Sequence, residues 1–301
     1  MSATSAAGGM GAWRSSARVL MDFLELAKAR LTAMVVMSAG AGFVLGSGSA
    51  IRADEMVLAL LGIGLVAGGA AMLNQYRERR FDALMDRTLD RPLPAGRISP
   101  KSALVAGSVA SLLGLVTLLL ASNPLAAALT ATSWFIYLFI YTPMKRWSTL
   151  NTFVGAIPGA LPPVLGWAAA AGNVGPGAWL PFAMMFLWQM PHFFSIAWIC
   201  RKDYARAGFW MLPVVDPLGP STGACTLLCA VGLVPAGWVA MKMGMAGPAY
   251  ATVTAMAGLI LVGLSWRFAA RKTEGAARFL FLYSLCYLPI VLLGLAAADR
   301  L

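Results

Sequence analysis

Residues Leu58–Arg97 read "LALLGIGLVAGGAAMLNQYRERRFDALMDRTLDRPLPAGR". The first sixteen carry no charge, and the next twenty-four hold four acids and six arginines. A run this oily that passes straight into a dense polar one describes a helix leaving the apolar phase at one end. The rest of the chain repeats the theme. Its 301 residues are 59% hydrophobic and 12% charged, with mean hydropathy +0.75, where a soluble domain carries about 25% charged residues. Crossing a bilayer takes about 20 apolar residues. Runs near that length fall at Leu31–Ser49, Met56–Leu73, Ala103–Ala121, Leu125–Tyr141, Asn151–Ala171, Gly177–Ile199, Gly223–Met241, Ala246–Trp266 and Ala277–Ala297. A β-barrel shows alternating segments of about 10 residues instead. The chain therefore reads as all-α, a polytopic transmembrane bundle of about nine helices. One domain covers 22–301, preceded by a flexible tail at 1–21 rich in Ser, Ala and Gly. No apolar core precedes Met21, so a cleaved signal peptide is not expected.

The net charge of +11 raises nucleic acid as a partner, and the placement of the charges argues against it. Of the 23 basic residues, 20 fall before the first apolar run or after the second, fourth, sixth and eighth; only Arg52, Lys242 and Arg300 fall on the other face. This is a topology signal, and it puts the N-terminus in the cytoplasm and the C-terminus outside. Cys200, Cys225, Cys229 and Cys286 sit in or beside apolar runs with no further ligand types around them, and read as small core residues.

Outer connections are short and nearly uncharged. The inner ones after the second and sixth runs are long and polar, so any chemistry lies on the cytoplasmic side. Each of these two loops ends near a Pro-rich stretch, "RPLPAGRISP" and "MLPVVDPLGP", a weak repeat that predicts a site where the two meet. The fifth run contains "GAIPGALPPVLG". Pro158, Pro162 and Pro163 each remove a backbone donor, so this helix must bend or break. Broken backbone in lipid is tolerated against protein or lining a cavity, and Gly155 and Gly159 permit a close neighbour.

Asn74, Glu78 and Asp82 stand at i, i+4 and i+8, a single stripe on a helix, which Asp86 extends if the helix runs that far. Two carboxylates and an amide offer only oxygen to a hard cation such as Mg²⁺. The surrounding arginines suit phosphate, because a guanidinium binds it through two donors. A solvated helix end with internal ion pairs accounts for the same residues less fully. The loops after the fourth and sixth runs add Tyr141, Lys145 and Arg146, and Lys202 and Asp203, to the same face.

"NQYRERRFDALMDRT" followed by "RPLPAG", together with "YTPMK", resembles the UbiA-type intramembrane prenyltransferases. "LAKAR", "WQMPHFF", "KDYARAG" and "MLPVV" are similar to their protoheme IX farnesyltransferase (haem O synthase) branch, from Asp22 to the last run in the same order. The resemblance implies transfer of the farnesyl group of farnesyl diphosphate to a vinyl group of haem B, with water added. It implies Mg²⁺ on Asn74, Glu78, Asp82 and Asp203, and diphosphate on Arg87, Arg91, Tyr141, Lys145, Arg146 and Lys202. Haem would meet His192, Lys28 and Arg30. His192, the only histidine, could ligate iron, bond a propionate, or satisfy a carbonyl exposed by Pro191. Membrane lipid surrounds such a protein, and haem A synthase or oxidase assembly proteins are its implied protein partners. This sequence departs from the pattern: Glu78 is the first acid of the motif, Arg80 stands where related sequences often have another acid, and the second acidic motif is reduced to Asp203.

Rival readings are a quinone-precursor or other aromatic acceptor, a membrane carrier, and an assembly factor. A carrier would place charge at mid-membrane on several helices with access from both faces. An assembly factor would leave the carboxylates dispensable.

Overall fold

The computed structural model describes residues 17–48 and 50–298. The expected tail at 1–16 lies outside them, while 17–21, read from composition as tail, are helical. Among the described residues there is no strand, and nine helical stretches are long and apolar enough to cross a bilayer. These are Ala29–Gly46, Ala53–Asp82, Pro100–Ala121, Pro124–Met144, Asn151–Ala171, Pro176–Ile199, Pro220–Lys242, Pro248–Arg271 and Glu274–Ala298. The protein is an integral, multi-pass membrane protein.

Helix α1 (17–26) precedes α2 (Ala29–Gly46), α3 (Ala53–Asp82) and α4 (Pro100–Ala121). The fourth span is α5 (Pro124–Phe135) continued by a π-helical segment, Ile136–Tyr141, and a last helical turn, Thr142–Met144. The fifth span is two helices, α6 (Asn151–Ala160) and α7 (Pro162–Ala171), meeting at Leu161. The break falls where Pro162 and Pro163 remove two consecutive backbone donors, while Pro158 is carried inside α6. α8 (Pro176–Ile199), the short α9 (Arg201–Arg206) and α10 (Leu212–Val215), α11 (Pro220–Leu233), α12 (Ala236–Lys242), α13 (Pro248–Arg271) and α14 (Glu274–Ala298) complete the order. Proline opens five of the spans and the second half of the fifth span, at the first turn where its missing N–H costs nothing.

Oily side chains such as Leu112, Leu119, Leu228, Met256 and Leu259 point outward, as a lipid-facing surface requires. Between helices in lipid the hydrophobic effect adds little, so close van der Waals approach decides which spans adhere. Hence glycine lies at the contacts. A Cβ on Gly166 would stand 1.8 Å from the Ala39 carbonyl oxygen, and one on Gly42 1.9 Å from that of Pro163, so α2 and α7 touch backbone to backbone. α3 and α4 approach likewise at Gly62 and Gly114. Gly155 and Gly159 serve a different purpose: they face the Tyr141 ring and the Gln189 side chain, and both line a cavity.

Substituting Gly166 by valine is expected to lower stability by at least about 1–3 kcal/mol, the usual range for overpacking. Thermal unfolding in detergent checks this. Gly40→Ala, whose Cβ would meet only Leu60 Cδ1 at 3.5 Å, is expected to match the wild type or exceed it slightly.

Candidate active site

The stripe on α3 is buried, with Asn74, Glu78 and Asp82 only 1%, 6% and 1% exposed. The helix continues nine residues past Leu73 and ends at Asp82, so the stripe belongs to the span itself. Asp86 lies beyond that end, exposed and paired with Arg206. Buried carboxylates demand counter-charge, and each has one from a different part of the chain. Lys145, just after the fourth span, donates to both Glu78 oxygens at 2.8 and 3.0 Å. Arg91, in the loop after α3, donates to both Asp82 oxygens at 2.9 Å. Asn74 is engaged at both ends of its amide: its Oδ1 accepts from Lys28 Nζ at 3.4 Å, and its Nδ2 donates to Thr142 Oγ1 at 3.0 Å.

These elements meet because successive spans run antiparallel. Lys28 precedes α2, Asp82 ends α3, Lys145 follows the fourth span and Tyr204 follows α8, so all four arrive at one face of the bundle. Lys28 sits in the left-handed region, φ 49°, at the turn between α1 and α2. α1 is tied down in turn, since Arg97 donates to Asp22 at 2.8 Å and Gln75 to the Leu26 carbonyl at 2.9 Å. The two long loops meet as well. Phe81 and Met85 pack on Ala207, Phe209 and Met211. Arg87 donates to the Tyr204 hydroxyl at 3.2 Å and lies over its ring, and Arg206 joins Asp86 to Asp203.

Beneath the loops lies a cavity of about 430 Å³, within the range of small-molecule sites. Its walls include α3 from Ile63 to Asp82, roughly 28 Å of helix. Lys28, Glu78, Asp82, Arg87, Arg91, Tyr141 and Lys145 line the charged end, while Val35, Ile63, Val66, Leu165, Met185, Trp188, His192 and Leu288 line the remainder. Four cations against two carboxylates leave the charged end seeking anions. Burial, Arg91 and Lys145 together push the Lys28 ammonium down to about 8, with Glu78 and Asp82 opposing. Burial also works against charge on Lys145, yet Glu78 and the Tyr141 and Tyr137 hydroxyls hold it above the ordinary lysine range.

Five residues singled out in the sequence stand apart from the cavity wall. Asn74 is buried behind it; Asp203 is held by Arg206; Arg30, Lys202 and Arg146 are exposed, the last over the Phe81 ring. Sequence reasoning passed over Tyr137, Tyr204, Phe209 and Gln189, all of which line the cavity. Gln189 carried the one available signal, a buried amide inside an apolar span. Glu78 and Asp82 suit Mg²⁺ by chemistry: hard oxygen donors one turn apart, facing the cavity, with no nitrogen or sulfur ligand beside them. Among the described residues no group of three or more metal-ligating side chains gathers, and Mg²⁺ takes few carboxylates, filling its shell with water and phosphate oxygen.

Such an arrangement defines a class: a membrane protein that takes an anionic head at one bilayer face and houses an apolar body between its spans. The chain belongs to the UbiA prenyltransferase family, whose model matches residues 35–285. It is 42% identical over 290 residues to the protoheme IX farnesyltransferase of Solibacter usitatus (strain Ellin6076), covering 93% of this chain and 99% of that one. The mitochondrial protoheme IX farnesyltransferase of Arabidopsis thaliana is 36% identical over 274 residues, covering 91% and 64%. Solved structures of similar fold include a digeranylgeranylglyceryl phosphate synthase, with TM-score 0.77 and 17% identity over 93% of this chain and 98% of that one. A UbiA homologue from Archaeoglobus fulgidus bound to GPP and Mg²⁺ follows, with TM-score 0.60 and 16% identity over 92% and 99%.

Replacing Arg91 by methionine strands the Asp82 carboxylate in a buried site, an expected loss of about 3 kcal/mol. Adding Asp82→Asn is expected to recover most of it. Denaturation of the two variants in detergent gives both numbers.

Proposed function

We propose that this protein transfers the farnesyl group of farnesyl diphosphate to a vinyl group of haem B, with addition of water, giving haem O. One observation carries the reading: a single cavity joins a cation-rich end containing two buried carboxylates to a long apolar end with the only histidine in its wall. The named relatives share that activity by name over nearly the whole chain.

The chemistry is a heterolysis. The bond from farnesyl C1 to oxygen breaks, its electron pair leaves with diphosphate, and C1 bonds to the terminal vinyl carbon. Water then adds to the other vinyl carbon and a proton is released. Lys28, Arg87, Arg91 and Lys145 donate to the departing diphosphate, where charge grows as the bond breaks. The Tyr141 ring lies under the Lys145 ammonium, 4.6 Å from its centroid, and orients it. Glu78 and Asp82 would hold Mg²⁺, whose contribution when bound is to offset the leaving group's negative charge. Asn74 holds Lys28 and Thr142 in place behind the stripe, and Asp203 stays with Arg206 at the mouth. Arg146 and Lys202, exposed at that face, draw the diphosphate in at longer range. The apolar walls receive the farnesyl chain and the haem ring and keep stray water from the allylic cation. Arg30, exposed outside the cavity wall, would meet the propionates only where they emerge from the cavity.

The charge asymmetry of the connections supports the reading that this face lies in the cytoplasm and the C-terminal end across the inner membrane. A quinone precursor as acceptor gains nothing from the relatives' names or from the histidine.

Purified protein given haem B, farnesyl diphosphate and Mg²⁺ is expected to yield a haem heavier by farnesyl plus water, read by mass spectrometry. Glu78→Gln and Asp82→Asn, eluting from gel filtration like the wild type, are expected to lose at least about 10²–10³ in kcat. Consumption of a quinone precursor in place of haem would overturn the acceptor assignment.

A further inference from the structure

The sole histidine is held in a way that decides which ring nitrogen carries hydrogen. Ser284 Oγ lies 2.6 Å from the Phe281 carbonyl oxygen and 2.9 Å from His192 Nδ1. A carbonyl has no hydrogen to give, so the hydroxyl donates its single proton to Phe281. At the second contact the serine oxygen can only accept. His192 Nδ1 is therefore the N–H, and Nε2 keeps a bare lone pair.

The ring is fixed in orientation as well. Trp188 and Phe281 stack against it, each with its centroid 4.9 Å away. Trp188 is itself pinned, its Nε1 donating to the Ser284 carbonyl at 2.7 Å. Nε2 makes no hydrogen bond with any described residue, and His192 is part of the cavity wall, as are Gln189 and Leu288.

Two chemistries use a bare imidazole nitrogen. As a proton acceptor it becomes a cation, and its neighbours are Trp188, Phe193, Phe281 and Ser284, with no carboxylate to balance the charge. As a metal ligand it stays neutral. An imidazole whose far N–H is held by an oxygen acceptor is the arrangement that metal-bound histidines share.

We propose that His192 Nε2 is an axial ligand to the iron of haem B, and that Ser284 is the positioning residue that keeps it in the ligating tautomer. This rests on haem being the acceptor. It also explains why the apolar end contains one polar ring gripped on three sides.

The test uses the full chain in detergent, purified through a tag without histidine and titrated with ferric haem B and, separately, with metal-free protoporphyrin IX. With one histidine in the sequence, any imidazole ligation has a single source. The wild type is expected to show nitrogen ligation in its Soret band and electron paramagnetic resonance. His192→Ala is expected to lose that signal and regain it on adding imidazole. Ser284→Ala is expected to weaken ferric haem binding by about 10–100-fold and leave metal-free porphyrin binding unchanged, while Ser284→Thr retains the wild-type affinity. A spectrum unaltered in His192→Ala overturns the proposal, as does equal weakening of both porphyrins in Ser284→Ala. If haem is still farnesylated in either case, only this inference falls. A wild type that neither binds nor farnesylates haem takes the functional reading down with it.

Discussion

Carboxylates at the end of a membrane span must be neutralised where they stand, and that need organises this molecule. Glu78 and Asp82 are almost wholly removed from solvent, and each is gripped through both oxygens by one cation. Neither cation comes from the same helix. Lys145 arrives from the far end of the fourth span and Arg91 from the loop beyond α3, so neutralising the charge also dictates where those segments go. Folding and site assembly are consequently one event: the contacts that make the buried acids tolerable are the ones that gather donors for an anionic head.

The rest of the charged end is arranged around that pair. Arg87 rests on Tyr204 and thereby joins the loop after α8 to the loop after α3. Phe81, Met85, Phe209 and Met211 seal the junction with apolar contact. Behind it, the break at Leu161 opens the fifth span, and Gly155, Pro158, Gly159 and Pro162 all line the cavity. Small or ring-closed residues there leave room that ordinary side chains would fill. The polar and apolar ends of one chamber thus correspond to the two halves of an amphiphilic substrate, each matched to the phase it prefers.

Much of this was readable beforehand. Nine spans stood out because apolar length is a nonlocal constraint that every residue in the run obeys, and the prolines announced the break in the fifth. The loops after α3 and α8 do meet, as their weak likeness implied. What periodicity could not give was depth. Nothing in the order of letters says that α3 keeps its stripe buried, since that depends on Lys145 standing 67 residues away. Asp86 matches the i+4 rhythm but falls outside the helix once the chain turns at Ala83. Residues 17–21 look like featureless tail until Asp22 is seen held by Arg97. Ser284 is one serine in an apolar run, and only its two neighbours in space give it a role.

The π-helical segment Ile136–Tyr141 has a consequence for how the fourth span is phased. Tyr137, Tyr141 and Lys145 follow one another at intervals of four, and in a regular α-helix each such step drifts about 40° round the axis. A wider turn with one additional residue absorbs that drift, so the tyrosines stack at 5.5 Å and the lysine lies over the Tyr141 ring. Removing a single residue from this turn would restore ideal geometry and swing everything downstream by about 100°, carrying Lys145 away from Glu78. Local irregularity here serves as a phase corrector: the least regular turn of the span is what keeps its last side chain aimed inward.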